Sequence, residues 1–314
     1  MTTGFRLTTS WPLYLALAFL IALFLAGAWI WAPDLDRGYL ESRYLERPGD
    51  YVEAAGTRLH VRDRGPRDAP AVVLVHGFGA SLHSFDAWAG TLEERYRVVR
   101  LDLPGSGLSP PDPGGDYTDA RSVALLTALL DRLGTARASI VGHSIGGRIA
   151  WTFAAAHPER VDRLVLISPD GFASAWAAYG RRPHIPASAR LMRFALPKVF
   201  VRCALERAFA DPHAVTDALV TRYYELARAP GSRAALLARM EQTVLVDPVP
   251  VLKSIWIPTL VLWGRNDALI PFSNAADYAA ALPDATVVAL DGVGHVPQEE
   301  APEVSVAALL RFLH

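Results

Sequence analysis

Short apolar runs alternate along this chain with longer segments whose apolar residues have helical spacing. From residue 72 onward, runs typical of buried strands are followed by loops and by amphipathic segments such as 122–133, which predicts repeated strand–loop–helix units. The predicted strands are 72–75, 97–101, 138–141, 163–167, 259–263 and 286–290. This alternation predicts a mainly parallel sheet with helices on both faces and a ligand site at the carboxyl ends of the strands. Residues 51–54 and 58–62 alternate instead, and they predict an antiparallel hairpin that opens the sheet.

The strand pattern stops between residues 171 and 257, where Ala, Leu and Arg are abundant and prolines interrupt helical segments. We interpret 171–257 as a helical cap inserted into an α/β core formed by 51–170 and 258–314. Aromatic residues are frequent in the first half of this segment. We expect most of them to pack the core of the cap and a few, Trp176 among them, to line an acyl pocket.

The N-terminal segment has a separate pattern, because residues 11–32 contain no charged side chain. About twenty apolar residues suffice to span a bilayer, so segment 1–32 predicts a transmembrane helix that anchors the chain. Arg6 precedes the span, and this weak positive bias favours an extracytoplasmic location for the rest of the chain. A cleaved signal peptide is the main alternative, because Ala26-Gly27-Ala28 resembles a cleavage site. The charged, proline-containing residues 33–50 predict a linker.

Composition excludes several classes of function. The chain has 314 residues, a net charge of −1 and 51% hydrophobic residues, which allows a sizeable core and gives no electrostatic case for nucleic acid as a partner. The single cysteine, Cys203, excludes an internal disulfide and a cysteine-based metal site. No metal-ligand cluster or phosphate-binding glycine loop is evident, and nothing indicates the oligomeric state. We therefore expect a protein that needs no cofactor and no metal.

The motif that carries most information is Gly-His-Ser-Ile-Gly at 142–146. It has the form G-x-S-x-G and lies where a predicted strand meets a predicted helix. In that context the serine is held on a sharp turn with its hydroxyl exposed above the sheet, which predicts Ser144 as a nucleophile. Gly142 and Gly146 suit the turn because a side chain would crowd it. A chance match in a glycine-rich turn is the alternative.

A serine nucleophile needs a base, which a third group orients. Asp267 follows the predicted strand 259–263, and His295 follows the predicted strand 286–290. The order Ser, Asp, His is the one that accompanies a G-x-S-x-G turn. We therefore predict a triad of Ser144, Asp267 and His295, with Asp170 as a rival for the acid.

An oxyanion hole is predicted from the loop His76-Gly77-Phe78-Gly79, which follows strand 72–75. Acyl transfer places negative charge on the former carbonyl oxygen, and preorganised N–H groups stabilise that charge. The predicted donors are the backbone N–H groups of Phe78 and Ile145. We also expect Gly77 and His143 to border the substrate pocket together with Trp176.

The motifs at 76–79, 102–109, 142–147 and 292–295 together resemble those of the α/β-hydrolase superfamily. The likeness covers about residues 50–314 and is greatest to capped serine hydrolases, namely small esterases, lipases and enzymes that cleave carbon–carbon bonds in ring-fission products. The resemblance implies a mostly parallel eight-stranded sheet flanked by helices, with a helical cap, and it implies that loop 102–109 shapes the site. Epoxide hydrolases and haloalkane dehalogenases of this fold have an aspartate at the position of Ser144, which argues against both.

The favoured function is hydrolysis of small hydrophobic esters through an acyl-enzyme on Ser144. The same triad would also serve carbon–carbon bond cleavage, in which Arg148 is a candidate to hold a dienoate carboxylate or else a solvated helix residue. A non-catalytic membrane-tethered binding protein and a haloperoxidase-like or acyltransferase side activity are the remaining alternatives.

Overall fold

The structure is a computed structural model that describes residues 11–173 and 178–314. Within these residues, eight strands form one sheet, which confirms the predicted architecture. In chain order they are β1 (Tyr51–Ala54), β2 (Thr57–Arg64), β3 (Ala71–Val75), β4 (Arg97–Leu101), β5 (Ala138–His143), β6 (Val161–Ile167), β7 (Thr259–Gly264) and β8 (Ala285–Leu290).

The sheet is mostly parallel, with strand order β1-β2-β4-β3-β5-β6-β7-β8. Strand β2 pairs antiparallel with both β1 and β4, whereas every pair from β4 through β8 is parallel. The central strands β3 and β5 are buried along their whole length, as expected for parallel strands covered on both faces. The carboxyl ends of β5, β7 and β8 therefore meet at one edge of the sheet.

Helices cover both faces of this sheet. Those of the described residues are α1 (Trp11–Ile30), α2 (Arg37–Tyr44), α3 (Asp86–Glu93), α4 (Asp119–Arg132), α5 (Ile145–Ala156), α6 (Ala187–Arg190), α7 (Lys198–Ala208), α8 (Asp217–Ala227), α9 (Ser232–Gln242), α10 (Val249–Leu252), α11 (Asn274–Ala281), α12 (Pro297–Glu300) and α13 (Pro302–Leu313). Leu129 of α4 and Ile149 of α5 pack on one face, and Trp88 of α3 and Leu309 of α13 pack on the other.

Helices α6 to α10 all lie between β6 and β7, and no strand occurs in the described part of 171–257. Leu205 and Phe209 from this segment pack with Val296, the residue after His295. The backbone N–H of His295 also donates to the carbonyl of Ala208 over 2.6 Å. The inserted helices thus contact the loop that carries His295, at the edge where the strands end.

The segment 33–50 was predicted as a linker, but it contains helix α2 and folds against the inserted helices. Leu40 of α2 is buried in a cluster with Leu108 of the core and Leu226 of the inserted helices. The carboxylate of Glu225 accepts hydrogen bonds from the hydroxyls of Tyr39 and Tyr44 over 3.1 and 2.7 Å. Arg233 pairs with Asp34 over 2.6 Å. These contacts correct the prediction, because apolar burial and ion pairing hold the segment in a fixed place.

Residues 1–32 were predicted to contain a transmembrane helix, and their described part forms α1. Among the residues that the structure describes, no helix meets the combined requirements of length and apolarity for a membrane span. The predicted transmembrane helix is therefore not supported.

Candidate active site

Ser144 lies on a strained turn between β5 and α5. Its backbone has φ 54° and ψ −119°, a conformation that costs a non-glycine residue free energy. A Cβ on Gly142 would lie 2.1 Å from the carbonyl oxygen of Gly146, and a Cβ on Gly146 would lie 2.3 Å from that of Val75. Both positions therefore require glycine. This steric requirement explains the two glycines of the G-x-S-x-G pattern.

Asp267 and His295 are brought together from two strand ends. The Nδ1 atom of His295 lies 2.7 Å from Oδ2 of Asp267. The other carboxylate oxygen, Oδ1, accepts backbone N–H groups of Leu269 and Ile270 over 2.8 and 2.9 Å. Burial alone would raise the pKa of Asp267, but the hydrogen bonds and the charge of His295 lower it below its usual value. This carboxylate is therefore ionised at neutral pH and orients the imidazole.

His143 connects the serine turn to the His295 loop. Its Nε2 lies 2.8 Å from the carbonyl oxygen of His295, and the two imidazole rings are 4.9 Å apart. Burial, reinforced by the charge of His295, lowers the pKa of His143 to about 3. The ring is neutral at ordinary pH, so the nitrogen facing that carbonyl carries the proton and donates it. Ser144 itself makes no hydrogen bond with His295 among the described residues, and such bonds often tighten only in a complex.

The loop predicted as the oxyanion hole lies directly against Ser144. A Cβ on Gly77 would be 3.2 Å from Cβ of Ser144 and 2.6 Å from Nδ1 of His143. Gly77, Phe78 and Ile145 line a cavity of about 10 Å³. Ile145 is the first residue of α5, where a backbone N–H has no acceptor within the helix. Both predicted donors thus border one small space beside the serine.

The structure places the remaining predicted residues differently. Asp170, the rival acid, lies 3.1 Å from Arg148, and Arg148 also lies 3.2 Å from Asp119. Asp170 is therefore engaged by a cation and not by His295. Arg148 is buried among these carboxylates rather than solvated. Trp176, the predicted pocket residue, lies outside the described residues.

Glu300 is a residue of the site that the sequence argument missed. Its Oε2 accepts the backbone N–H of Gly294 over 2.6 Å, and its Oε1 accepts those of Ala210 and Asp211 over 2.6 and 3.2 Å. One carboxylate thus joins the residue before His295 to the inserted helices. Its position five residues after His295 could have suggested a role near the catalytic loop. Its contact with Ala210 could not be predicted, because the two residues are 90 positions apart in the chain.

We expect Glu300→Gln to lower kcat by about tenfold, because an amide satisfies these three N–H groups less well and the His295 loop loosens. The free energy of unfolding should fall by about 2 kcal/mol, the scale of hydrogen bonds to a charged acceptor. Steady-state kinetics and urea unfolding measure both quantities. Glu303→Gln, at an exposed position three residues away, is the matched control, and equal kinetics for the two variants would contradict a positioning role.

Three buried histidines, His76, His83 and His143, make stability depend on pH, because burial lowers the pKa of each imidazole. Burial lowers the pKa of His83 to about 4 and, with the charge of His295, that of His143 to about 3. In the unfolded chain all three take up a proton near pH 6.5, so the stability they contribute is complete above pH 6.5 and decreases as the pH falls toward 4. We expect the loss to reach at most about 1.4 kcal/mol per pH unit for each histidine.

Urea unfolding at several pH values between 7.5 and 4.5 measures that slope. His83→Asn should make it shallower, whereas His213→Asn, at an exposed position, should leave it unchanged. A slope that does not depend on His83 would show that other groups govern the acid sensitivity.

Comparison with known proteins agrees with this geometry. The family model described as alpha/beta hydrolase fold matches residues 70–302, and the chain belongs to this family. It is accordingly a hydrolase of the α/β fold. A 2-hydroxymuconate semialdehyde hydrolase of Pseudomonas putida is 31% identical over 84% of this chain and 94% of its own length. A dihydrolipoyllysine-residue acetyltransferase component of the acetoin cleaving system, also of Pseudomonas putida, is 32% identical over 83% of this chain and 68% of its own length.

Among solved structures, a bacterial membrane phospholipase A is 27% identical, with a TM-score of 0.72, and the match covers 98% of both chains. This likeness extends over the N-terminal segment, which a match to residues 70–302 does not reach.

Proposed function

We propose that this protein is a serine ester hydrolase that acts on esters with hydrophobic acyl groups. The observation that carries the proposal is the arrangement of Ser144 on its strained turn, the His295–Asp267 pair and the two backbone N–H groups beside the serine. The site residues are assigned these roles: Ser144 is the nucleophile, His295 the base and Asp267 the group that orients it. The N–H groups of Phe78 and Ile145 form the oxyanion hole.

In the proposed reaction the hydroxyl of Ser144 attacks the ester carbonyl while His295 takes its proton. The C–O bond to the leaving group then breaks, and His295 returns the proton to the departing alcohol. A water molecule, deprotonated by the same histidine, attacks the acyl-enzyme and releases the acid and the free serine. The two N–H groups stabilise the negative oxygen in both tetrahedral states.

An apolar passage beside the site supports a hydrophobic acyl group. A second cavity of about 30 Å³ shares Gly79, Gly105, Ser106 and Leu236 with the cavity at the oxyanion loop. Leu226 and Ala227 of α8 also line the second cavity, together with Ser232 and Arg233. Both volumes are smaller than an acyl chain, and we propose that helices α8 and α9 shift when a substrate enters. Movement of such a cap is a common gating step in enzymes.

Carbon–carbon bond cleavage is the second candidate, and the likeness to the 2-hydroxymuconate semialdehyde hydrolase favours it. The cation first considered for a dienoate carboxylate, Arg148, is already neutralised by Asp119 and Asp170. Binding a carboxylate there would require breaking a buried ion pair, which is costly. This contact argues against Arg148 as the group that would hold a dienoate carboxylate.

We also propose that the protein is attached to a membrane through α1, with the catalytic domain on the extracytoplasmic side; export after signal cleavage is the alternative. The large apolar side chains of α1 that the structure describes are exposed, and Trp31 after it stacks on Phe194 of the cap with ring centroids 6.1 Å apart. Between Asp170 and Glu206 the chain has six Arg or Lys residues and no acidic one. Two of these cations, Arg190 and Arg202, pair with Glu241 and Asp217, so the proposal rests mainly on the exposed apolar residues of α1. The test is whether the full chain stays in the membrane fraction after an alkaline carbonate wash.

The functional proposal is tested by supplying 4-nitrophenyl esters of increasing acyl length and a ring-fission dienoate to the detergent-solubilised full chain. Ester turnover with a kcat/KM at least about tenfold above that for the dienoate would support the proposal. Turnover of the dienoate alone would replace it with the carbon–carbon reaction, and turnover of neither substrate by folded protein would overturn both.

A further inference from the structure

Arg239 is a buried cation without a carboxylate partner at the candidate active site. It lies on α9, is 5% exposed, and lines the same cavity as Gly77, Phe78 and Ile145. Its guanidinium donates one hydrogen bond, to the carbonyl of Pro104 over 3.3 Å, and makes no salt bridge within the part of the chain that the structure describes.

The absence of a partner is unusual for a charge at this depth. Burial of an unpaired cation costs free energy, so buried arginines normally pair with carboxylates. The other buried arginines of the fold follow that rule: Arg62, Arg97, Arg100, Arg148 and Arg233 each lie within 4.0 Å of a carboxylate. Burial lowers the pKa of Arg239 to about 10, and the face of the Tyr117 ring lies 5.2 Å from it. The side chain is therefore still charged at neutral pH.

A guanidinium offers five N–H donors in a planar arrangement that matches a carboxylate or a phosphate. Among the described residues, Arg239 has one hydrogen-bond acceptor, the carbonyl of Pro104. We infer that Arg239 forms an anion subsite beside Ser144, which selects ester substrates that carry a phosphate or a carboxylate group near the scissile bond. This inference rests on the proposed ester hydrolysis and adds the charge of the substrate to it.

Because Arg239 lies on cap helix α9, an anion bound to it would also affect the position of that helix. Helix α9 also carries Leu236, which lines both cavities at the site. Because these two cavities are smaller than an acyl chain, we expect α9 to move when a substrate enters. An anion held by Arg239 would draw the helix back over the site and exclude water from the reaction.

The test compares matched substrates that differ in charge. A 1-acylglycerol 3-phosphate is compared with the monoacylglycerol of the same acyl chain, and 4-nitrophenyl hemisuccinate is compared with 4-nitrophenyl butyrate. In the full chain, Arg239→Met should lower kcat/KM for the anionic member of a pair by about fiftyfold, the range of a charge-assisted bidentate contact, and change the neutral member less than threefold. Arg239→Lys should restore part of the loss, because it keeps the charge but not the planar donor pair.

Arg207→Met, at an exposed position on α7, is the control for loss of a cap charge. A selective loss in the phosphate pair alone would assign the subsite to phosphate, and one in the carboxylate pair alone would assign it to carboxylate. Equal losses for charged and neutral substrates would show a structural role and overturn the inference while ester hydrolysis stands. Failure of the wild-type chain to cleave any of the four esters would instead refute the proposed function.

Discussion

Ser144→Ala should lower ester turnover by about 10⁵-fold, because it removes the only atom that can form the acyl-enzyme. The fold should be retained, since alanine and serine are similar in size and both have a Cβ at the strained φ of 54°. The measurements are kcat with a 4-nitrophenyl ester and the thermal midpoint. A fluorophosphonate should label the wild-type chain at Ser144, as shown by mass mapping, and should not label the variant.

The control is Ser254→Ala, which removes a hydroxyl at an exposed position after α10. Its turnover and labelling should match those of the wild type. Turnover retained by Ser144→Ala within tenfold of the wild type, in a sample whose thermal midpoint is unchanged, would show that another group attacks the substrate.

The fold and the strand-end residues could be predicted because they depend on local patterns. Run 72–75 is apolar at every position, and run 138–141 is apolar except at Ser139, as expected for strands buried on both faces of a sheet. The turn at Ser144 is equally local, because its two glycines lie within two residues of the serine. The meeting of Asp267 and His295 followed from topology, since parallel strands place their carboxyl ends at one edge.

The contacts that could not be predicted join residues far apart in the chain. Arg233 and Asp34 are separated by 199 positions, and Glu300 and Ala210 by 90. No local pattern shows that two such residues meet, because their pairing depends on how the inserted helices dock. Arg239 was missed for the same reason: only the docked helix shows that it borders the same cavity as Gly77 and has no salt bridge to a carboxylate of the described residues.

These unpredicted contacts share one structural role. The segment with α2, the inserted helices and the His295 loop are joined by charged groups, through Glu225, Arg233 and Glu300. The cap is therefore tied on one side to the chain that leads from α1 and on the other to the catalytic loop.

The second large effect is expected for Asp267→Asn, which should lower kcat by about 10⁴-fold. The amide oxygen should take the place of Oδ1, because that atom accepts two backbone N–H groups, those of Leu269 and Ile270, whereas Oδ2 accepts one N–H, that of the Trp263 indole. The amide nitrogen then replaces Oδ2, which lies 2.7 Å from Nδ1 of His295. It would donate to Nδ1 and force the proton onto Nε2, so that the imidazole could no longer accept a proton from Ser144. Kinetics with a 4-nitrophenyl ester across pH 6 to 9 measure the loss.

Asp170→Asn is the matched comparison, because it makes the same chemical change at the rival carboxylate. Asp170 faces Arg148, and Arg148 keeps Asp119 as a partner when Asp170 is changed. We therefore expect its kcat to stay within about tenfold of the wild-type value, since no reacting atom loses a contact. The two variants thus separate the acid that orients His295 from one that only pairs with a cation. A loss of 10⁴-fold for Asp170→Asn together with a small loss for Asp267→Asn would reverse the assignment, because the triad would then depend on the carboxylate that follows β6.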